Sequence, residues 1–156
     1  MADKESKAAR DNEALETLRR LLTSQQVAVL ATHKEGQPYG SLVGFTASRD
    51  LKSLFFATSR TTRKFANLAA DGRVAMTFDD RSHAEADFYE AVGVTACGHA
   101  AEITKSPRSR ALKQFLAKHP HLHDFVMSPH CAFVRVRVEK YVMVRRFQEV
   151  VELVVS

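Results

Sequence analysis

The stretch Phe55-Phe56-Ala57-Thr58-Ser59-Arg60-Thr61-Thr62-Arg63-Lys64-Phe65 changes its period at the centre. Its first half completes a compact β-favouring run, Ser53 to Thr58. Its second half opens a helix, with Thr61 or Thr62 as the cap and Phe65, Leu68 and Ala69 on one face. A strand that passes into a helix through hydroxyls and cations is suited to an anion. The free N–H groups and the positive dipole end of the helix favour negative charge there. Hydroxyls at Thr58, Ser59, Thr61 and Thr62 add short donors, while Arg63 and Lys64 add charge. A terminal phosphate monoester requires that combination. A capped helix with solvated cations has the same local pattern, so the surrounding elements must decide between them.

Upstream, Glu13 to Leu22 sets Leu15, Leu18, Leu21 and Leu22 at helical spacing, behind a charged lead-in of residues 1–12 expected to be flexible. Val27 to Thr32 is an apolar run ended by the turn chemistry of Lys34-Glu35-Gly36-Gln37-Pro38. A second run spans Tyr39 to Ala47, and Ser48-Arg49-Asp50 turns it into the third. Links this short join antiparallel neighbours, because a parallel connection needs a crossover. Downstream, Asp71-Gly72 is expected to end the helix, with Gly72 in the left-handed conformation. Arg73 to Phe78 reads as a fourth strand and Ala91 to Ile103 as a fifth, in which Gly93 and Gly98 suggest a bulge or a close approach. Ser106-Pro107 caps a helix carrying Leu112, Phe115 and Leu116, and His119 to Met127 is a second helical piece. Ala132 to Val138 and Tyr141 to Phe147 read as two more strands, with Val150 to Val155 as an edge strand or a partner contact. The expected architecture is mainly β with flanking helices (α+β), a six- to seven-stranded antiparallel barrel.

The bulk properties narrow the function. A chain of 156 residues fits one domain, expected over 13–156, and 45% apolar with 26% charged residues is ordinary for a globular protein. A net charge of +5 admits an anionic partner. The cations are scattered apart from Arg60, Arg63 and Lys64, and there is no Trp and no aromatic–basic stripe, so nucleic acid is not expected. No apolar run reaches the roughly 20 residues of a membrane span. Met1 to Arg10 is charged with no hydrophobic segment behind it, which predicts a cytoplasmic protein with Cys97 and Cys131 as free thiols.

From Val29 to Phe78 the chain resembles the pyridoxamine 5'-phosphate oxidase-like family, the flavin-binding split barrels. Ala31-Thr32 and Gly36-Gln37-Pro38 resemble its first hairpin, and Ser41-Leu42-Val43-Gly44-Phe45 falls where its second strand runs along the flavin ring. Phe55-Phe56-Ala57-Thr58 resembles its third strand, and Thr62-Arg63-Lys64 its Ser-Arg-Lys phosphate motif, with Asp71-Gly72-Arg73-Val74-Ala75 in place of its Asn-Pro-containing turn and strand. The resemblance implies a split β-barrel that binds FMN through Ser41 to Phe45, Thr58, Ser59, Thr62, Arg63 and Lys64. It further implies a homodimer with the flavin at the subunit interface. Small or apolar side chains on the second strand let backbone amides approach the ring, Gly44 obstructing least. True pyridoxamine phosphate oxidases carry Arg and Lys on that strand, where Ser41 and Thr46 align here, and their basic, tyrosine-containing substrate segment has no counterpart. Flavin binding is therefore implied without vitamin B6 oxidation.

The remaining candidates stay open. Arg81 and Ser82, after the fourth strand, either contact the flavin or substrate or belong to a surface loop. His119, His121, His123, His130 and Cys131 match no zinc spacing, and no metal is expected. Some relatives of the split barrel bind haem, and His33, His99 or that cluster offers an imidazole. The leading expectation is an FMN-dependent oxidoreductase acting with a small-molecule substrate or electron donor, with no catalytic residue identified. The alternative is a non-catalytic flavin- or haem-binding carrier or sensor.

Overall fold

A computed structural model describes residues 1–104 and 107–155. Seven strands form one sheet: β1 (Val27–Lys34), β2 (Gln37–Ala47), β3 (Ser53–Ser59), β4 (Arg73–Asp79), β5 (Gly93–Glu102), β6 (Cys131–Arg145) and β7 (Glu149–Val154). The order is β3-β2-β1-β4-β5-β6-β7, every pair antiparallel, and β3 also pairs with β6. That last pairing closes six strands into a barrel and leaves β7 appended to β6. The flanking helices are α1 (Ala2–Ser24), α2 (Arg63–Ala70), α3 (Asp87–Glu90), α4 (Pro107–Lys118) and α5 (His123–Met127), with a 3-10 turn at Pro120–Leu122.

The barrel interior holds Leu30, Phe45, Phe56, Met76, Phe78, Ala96, Val134, Val136 and Met143, all essentially sealed from water. Each large side chain of this kind contributes about 1.5–3 kcal/mol by burial. Strand β3 is buried on both faces. Leu54 and Phe56 point into the barrel, while Phe55 joins Phe133, Phe115, Leu112 and Val126 in a second cluster under α4 and α5. The unbroken apolar run Leu54-Phe55-Phe56 is the sequence mark of that double cover.

Three local expectations are corrected. The helix begins at Ala2, so residues 2–12, expected as a flexible lead-in, are helical. Ala2, Lys4, Glu5, Lys7, Ala8 and Ala9 are strong helix formers with no Gly or Pro among them, and they extend the half anchored by Ala14, Leu18, Leu21 and Leu22. The two strands expected around Glu139 are one, β6, because the register shift opposite Cys97 and Gly98 is absorbed by a bulge rather than a turn. Gly72 is not left-handed; among glycines only Gly36 has positive φ. Its role is close approach, since a Cβ there would lie 2.9 Å from the Ala100 carbonyl oxygen. The Ser106 cap lies outside the described residues, and α4 is described from Pro107. Gly98, by contrast, marks the expected bulge: a Cβ would stand 2.2 Å from the Arg137 carbonyl oxygen.

Candidate functional site

Beside the end of β3, the chain forms a groove of about 340 Å³ lined by two strands and three helices. Leu42, Val43 and Gly44 come from β2, Ala57, Thr58 and Ser59 from β3, and Thr62 and Lys64 from the start of α2. Phe115, Leu122 and Phe125 close the far side. Seven of the residues singled out in the sequence are thus gathered around one space.

The α2 end of the groove is built for negative charge. Thr62 is the cap: its Oγ1 accepts from the Phe65 N–H at 3.3 Å and donates to the Ser59 carbonyl at 2.9 Å. Its carbonyl accepts from Ala66 N–H. The N–H groups of Arg63 and Lys64 are then left without an acceptor among the described residues. Thr58, 2% exposed, places its hydroxyl 2.9 Å from that of Thr62, and the Ser59 and Thr61 hydroxyls lie 3.0 Å apart. The Thr58 hydroxyl also reaches the Ser59 carbonyl at 3.3 Å and the Ser59 hydroxyl accepts from the Thr61 N–H at 3.4 Å, so these hydroxyls are held together at the wall of the groove. Lys64 supplies the cation on this wall.

The β2 wall is different in character. Gly44 has its missing side chain facing the Leu122 and His119 side chains, at 3.5 and 3.6 Å from an added Cβ. His119 is 2% exposed, and its Nε2–H donates to the Phe45 carbonyl at 2.8 Å. Burial pushes the His119 pKa down, which favours the neutral ring, and its bond to Phe45 pins the end of α4 against β2. Leu42, at 69% exposure, stands on the rim.

Other expected site residues lie elsewhere. Phe45 is in the barrel core, its ring stacked on Phe78 with centroids 5.4 Å apart. Ser41 is half-buried, with an Oγ that has no hydrogen-bond partner. Arg63 turns away from the groove and sits over the Tyr39 ring at 5.2 Å, in a hollow by the β1–β2 turn. Arg60 pairs with Glu102. Arg81 is held by Asp79 at 2.9 Å and lines a hollow with Phe88, Val144 and Phe147. Ser82 gives its N–H and hydroxyl to the Asp87 carboxylate, each at 2.9 Å, which lowers the Asp87 pKa. Within one chain, then, Arg81 and Ser82 do not join the groove. No group of three His, Cys, Asp or Glu residues suited to a metal occurs among the described residues. No described helix is long and apolar enough to cross a membrane.

Sequence reading missed Ala57, Phe115, Leu122, Phe125 and the anchoring role of His119. Ala57 was visible as the outward neighbour of Phe56 on an alternating strand. The other four belong to a helical insertion whose docking on β2 has no local sequence signal.

The fold recurs in solved structures. A haem-binding protein from Mycobacterium smegmatis superposes with a TM-score of 0.77 at 19% identity, over 86% of this chain and 55% of that one. The chain thus spans just over half the length of that protein. A FAD-binding protein from Mesorhizobium loti gives 0.61 at 22% identity, covering 80% of this chain and 89% of its own. HutZ, the haem storage protein from Vibrio cholerae, gives 0.69 at 15% identity, covering 89% and 92%. Identities this low establish a shared fold only. No curated protein matches the sequence. A family model described as pyridoxamine 5'-phosphate oxidase, however, matches residues 14–145, which takes in all six barrel strands and leaves out β7, and the chain belongs to that family.

Proposed function

We propose that the groove holds the ribityl-phosphate part of FMN and that the protein is a flavin-dependent oxidoreductase acting on a small molecule. The carrying observation is that the Leu42–Gly44 wall and the capped start of α2 face one space. The residues fit the group. Two free N–H donors, the Thr58 and Ser59 hydroxyls and the Lys64 ammonium suit a phosphate dianion. The apolar Leu42 and Val43 suit the edge of a ring system. Bound flavin would supply reversible electron transfer; the chain's part is to grip the phosphate, orient the ring along β2 and exclude water. Exposed Leu42 on the rim supports a homodimer in which a second copy covers the ring.

The phosphate grip is tested by comparing FMN with riboflavin, which lacks the phosphate. Lys64→Ala should weaken FMN at least tenfold and leave riboflavin within about twofold. Arg63→Ala, turned toward Tyr39, should have the smaller effect. Equal loss of both ligands in Lys64→Ala overturns the assignment.

A haem carrier is the second reading, supported by the haem-binding neighbours from M. smegmatis and V. cholerae. The visible spectrum of protein mixed with each cofactor separates the two: a shifted flavin band supports the first reading and a Soret band the second.

A further inference from the structure

A second hollow lies on the opposite side of the Lys118–His119 pair. His119 turns toward Gly44 and the groove, whereas Lys118 turns toward the end of α1. There two adjoining clefts of about 620 and 650 Å³ share Ser48, Arg49, Gln114 and Ala117 as a common wall. They share no lining residue with the groove. The floor is aliphatic, made of Leu22, Ala47, Leu51 and Ala117. The rim is cationic, with Arg19, Arg49 and Lys118 around one cleft and Arg49, Arg110 and Lys113 around the other.

The five cations are Arg19, Arg49, Arg110, Lys113 and Lys118. None of them takes part in an ion pair among the described residues. The one acid lining either cleft is Asp50, whose carboxylate is taken up by the Ser48 hydroxyl at 2.6 Å and the Lys52 N–H at 3.0 Å. Lys118 is the most confined. It is half-buried, with its ammonium 2.9 Å from the Leu22 carbonyl oxygen and 4.2 Å from the Phe45 ring centroid, and burial pushes its pKa down to about 8. A partly desolvated ammonium beside two arginines gains most from an anion brought to the same place.

The walls are preformed. Gln114 donates to the Ala47 carbonyl at 2.8 Å, fixing α4 to β2. Leu51, at φ 65°, is held in the left-handed region by its own N–H to the Ser48 carbonyl at 3.0 Å and by the Tyr141 hydroxyl on its carbonyl at 2.5 Å. A concave site of this volume with an apolar floor and few fixed polar groups has the build of a small-molecule site. We propose that the cleft between the end of α1, the β2–β3 turn and α4 binds a small amphipathic anion, an apolar body carrying a phosphate monoester or comparable dianion. The apolar body rests on Leu22, Leu51 and Ala117, and the charge lies among Arg19, Arg49 and Lys118. A single-stranded nucleic acid fits less well, because no aromatic face is open for stacking; the Phe45 ring is covered by Lys118.

The test is a titration of the isotopically labelled full chain with 2-naphthyl phosphate, followed by amide NMR shifts, with 2-naphthol as the uncharged control. The expected result is saturable shifts at Ala47, Arg49, Gln114 and Lys118, with 2-naphthol at least tenfold weaker. Arg19→Gln combined with Arg49→Gln, both exposed positions, should raise Kd at least tenfold, while Lys64→Gln leaves it unchanged. Shifts confined to Thr58–Phe65, or an unchanged Kd in the double variant, overturn the proposal. So does displacement of the probe by a twelve-nucleotide oligothymidylate at a lower concentration than 2-naphthyl phosphate itself needs to bind.

Discussion

At the scale of single residues, the same side-chain type has different consequences according to which way it faces. Arg63 and Lys64 are adjacent cations at the start of α2, yet Lys64 lines the groove and Arg63 lies over Tyr39. Successive positions on a helix are about 100° apart, and the two side chains leave the same turn in different directions. His119 makes a second case. It reads as one of four histidines near a cysteine, and the structure makes it a buried peg between α4 and the Phe45 carbonyl. Its pKa is lowered by burial, so below the ordinary value near 6.5 the unfolded chain takes up a proton that the folded protein refuses. Stability from this residue is therefore full above pH 6.5 and is lost as the pH falls toward the depressed folded value. His119→Gln keeps an N–H for Phe45 and does not titrate. Chemical denaturation at pH 7 and pH 5 should show a smaller acid loss in the variant than in the parent; an equal loss would assign the acid sensitivity elsewhere.

At the scale of elements, the decisive feature is β6, which is 15 residues long and pairs with β3, β5 and β7. Its two halves were legible as apolar alternations, with Val134, Val136 and Val138 in the first. Their continuity was not, because Glu139-Lys140 looks polar enough for a turn. The bulge that keeps the strand whole is fixed from the partner strand, by Gly98. Gly98→Ala drives a methyl against the Arg137 carbonyl, a backbone atom that cannot move without breaking the ladder. The expected cost is about 2 kcal/mol or more, read as a lower denaturation midpoint. Gly93→Ala, with open space around it, should fall within about 0.5 kcal/mol of the parent. A tolerant Gly98 would mean that the barrel relaxes at the bulge. The length of α1 illustrates the opposite limit. Its buried half was read from leucine spacing, while its exposed half extends by propensity alone, which a periodicity argument does not detect.

At the scale of the whole molecule, closure of β3 on β6 leaves β7 as a free edge among the described strands, with Val150 and Val154 exposed on it. Leu42, Phe125 and Met127 add exposed apolar surface on β2 and α5. A second copy covering Leu42 and the groove predicts a sedimentation mass of about twice 17.5 kDa. Leu42→Asp should shift that mass toward the monomer and weaken FMN in parallel. A monomer that binds FMN as tightly as the parent would separate the groove from any interface. Under the proposed function, FMN that binds the folded state alone should raise the thermal midpoint as its concentration rises.

The sequence by itself determined most of the strands, the antiparallel pairing of the first three, the capped start of α2 and the likeness to the pyridoxamine 5'-phosphate oxidase family. Each of these is local: alternation along Leu54 to Thr58, turn residues at Glu35-Gly36, a threonine three residues before Phe65. Only the tertiary structure decided that Lys64 rather than Arg63 faces the groove and that Phe115, Leu122 and Phe125 close it. It also decided that Arg81 and Ser82 stand apart from the groove within one chain, and that Arg19, Arg49 and Lys118 meet across three elements. The physical reason is that a cap or a turn is satisfied by neighbours a few residues away. A groove, in contrast, is made of side chains whose only relation is the packing of α1 and α4 onto the barrel, and no local propensity encodes that angle.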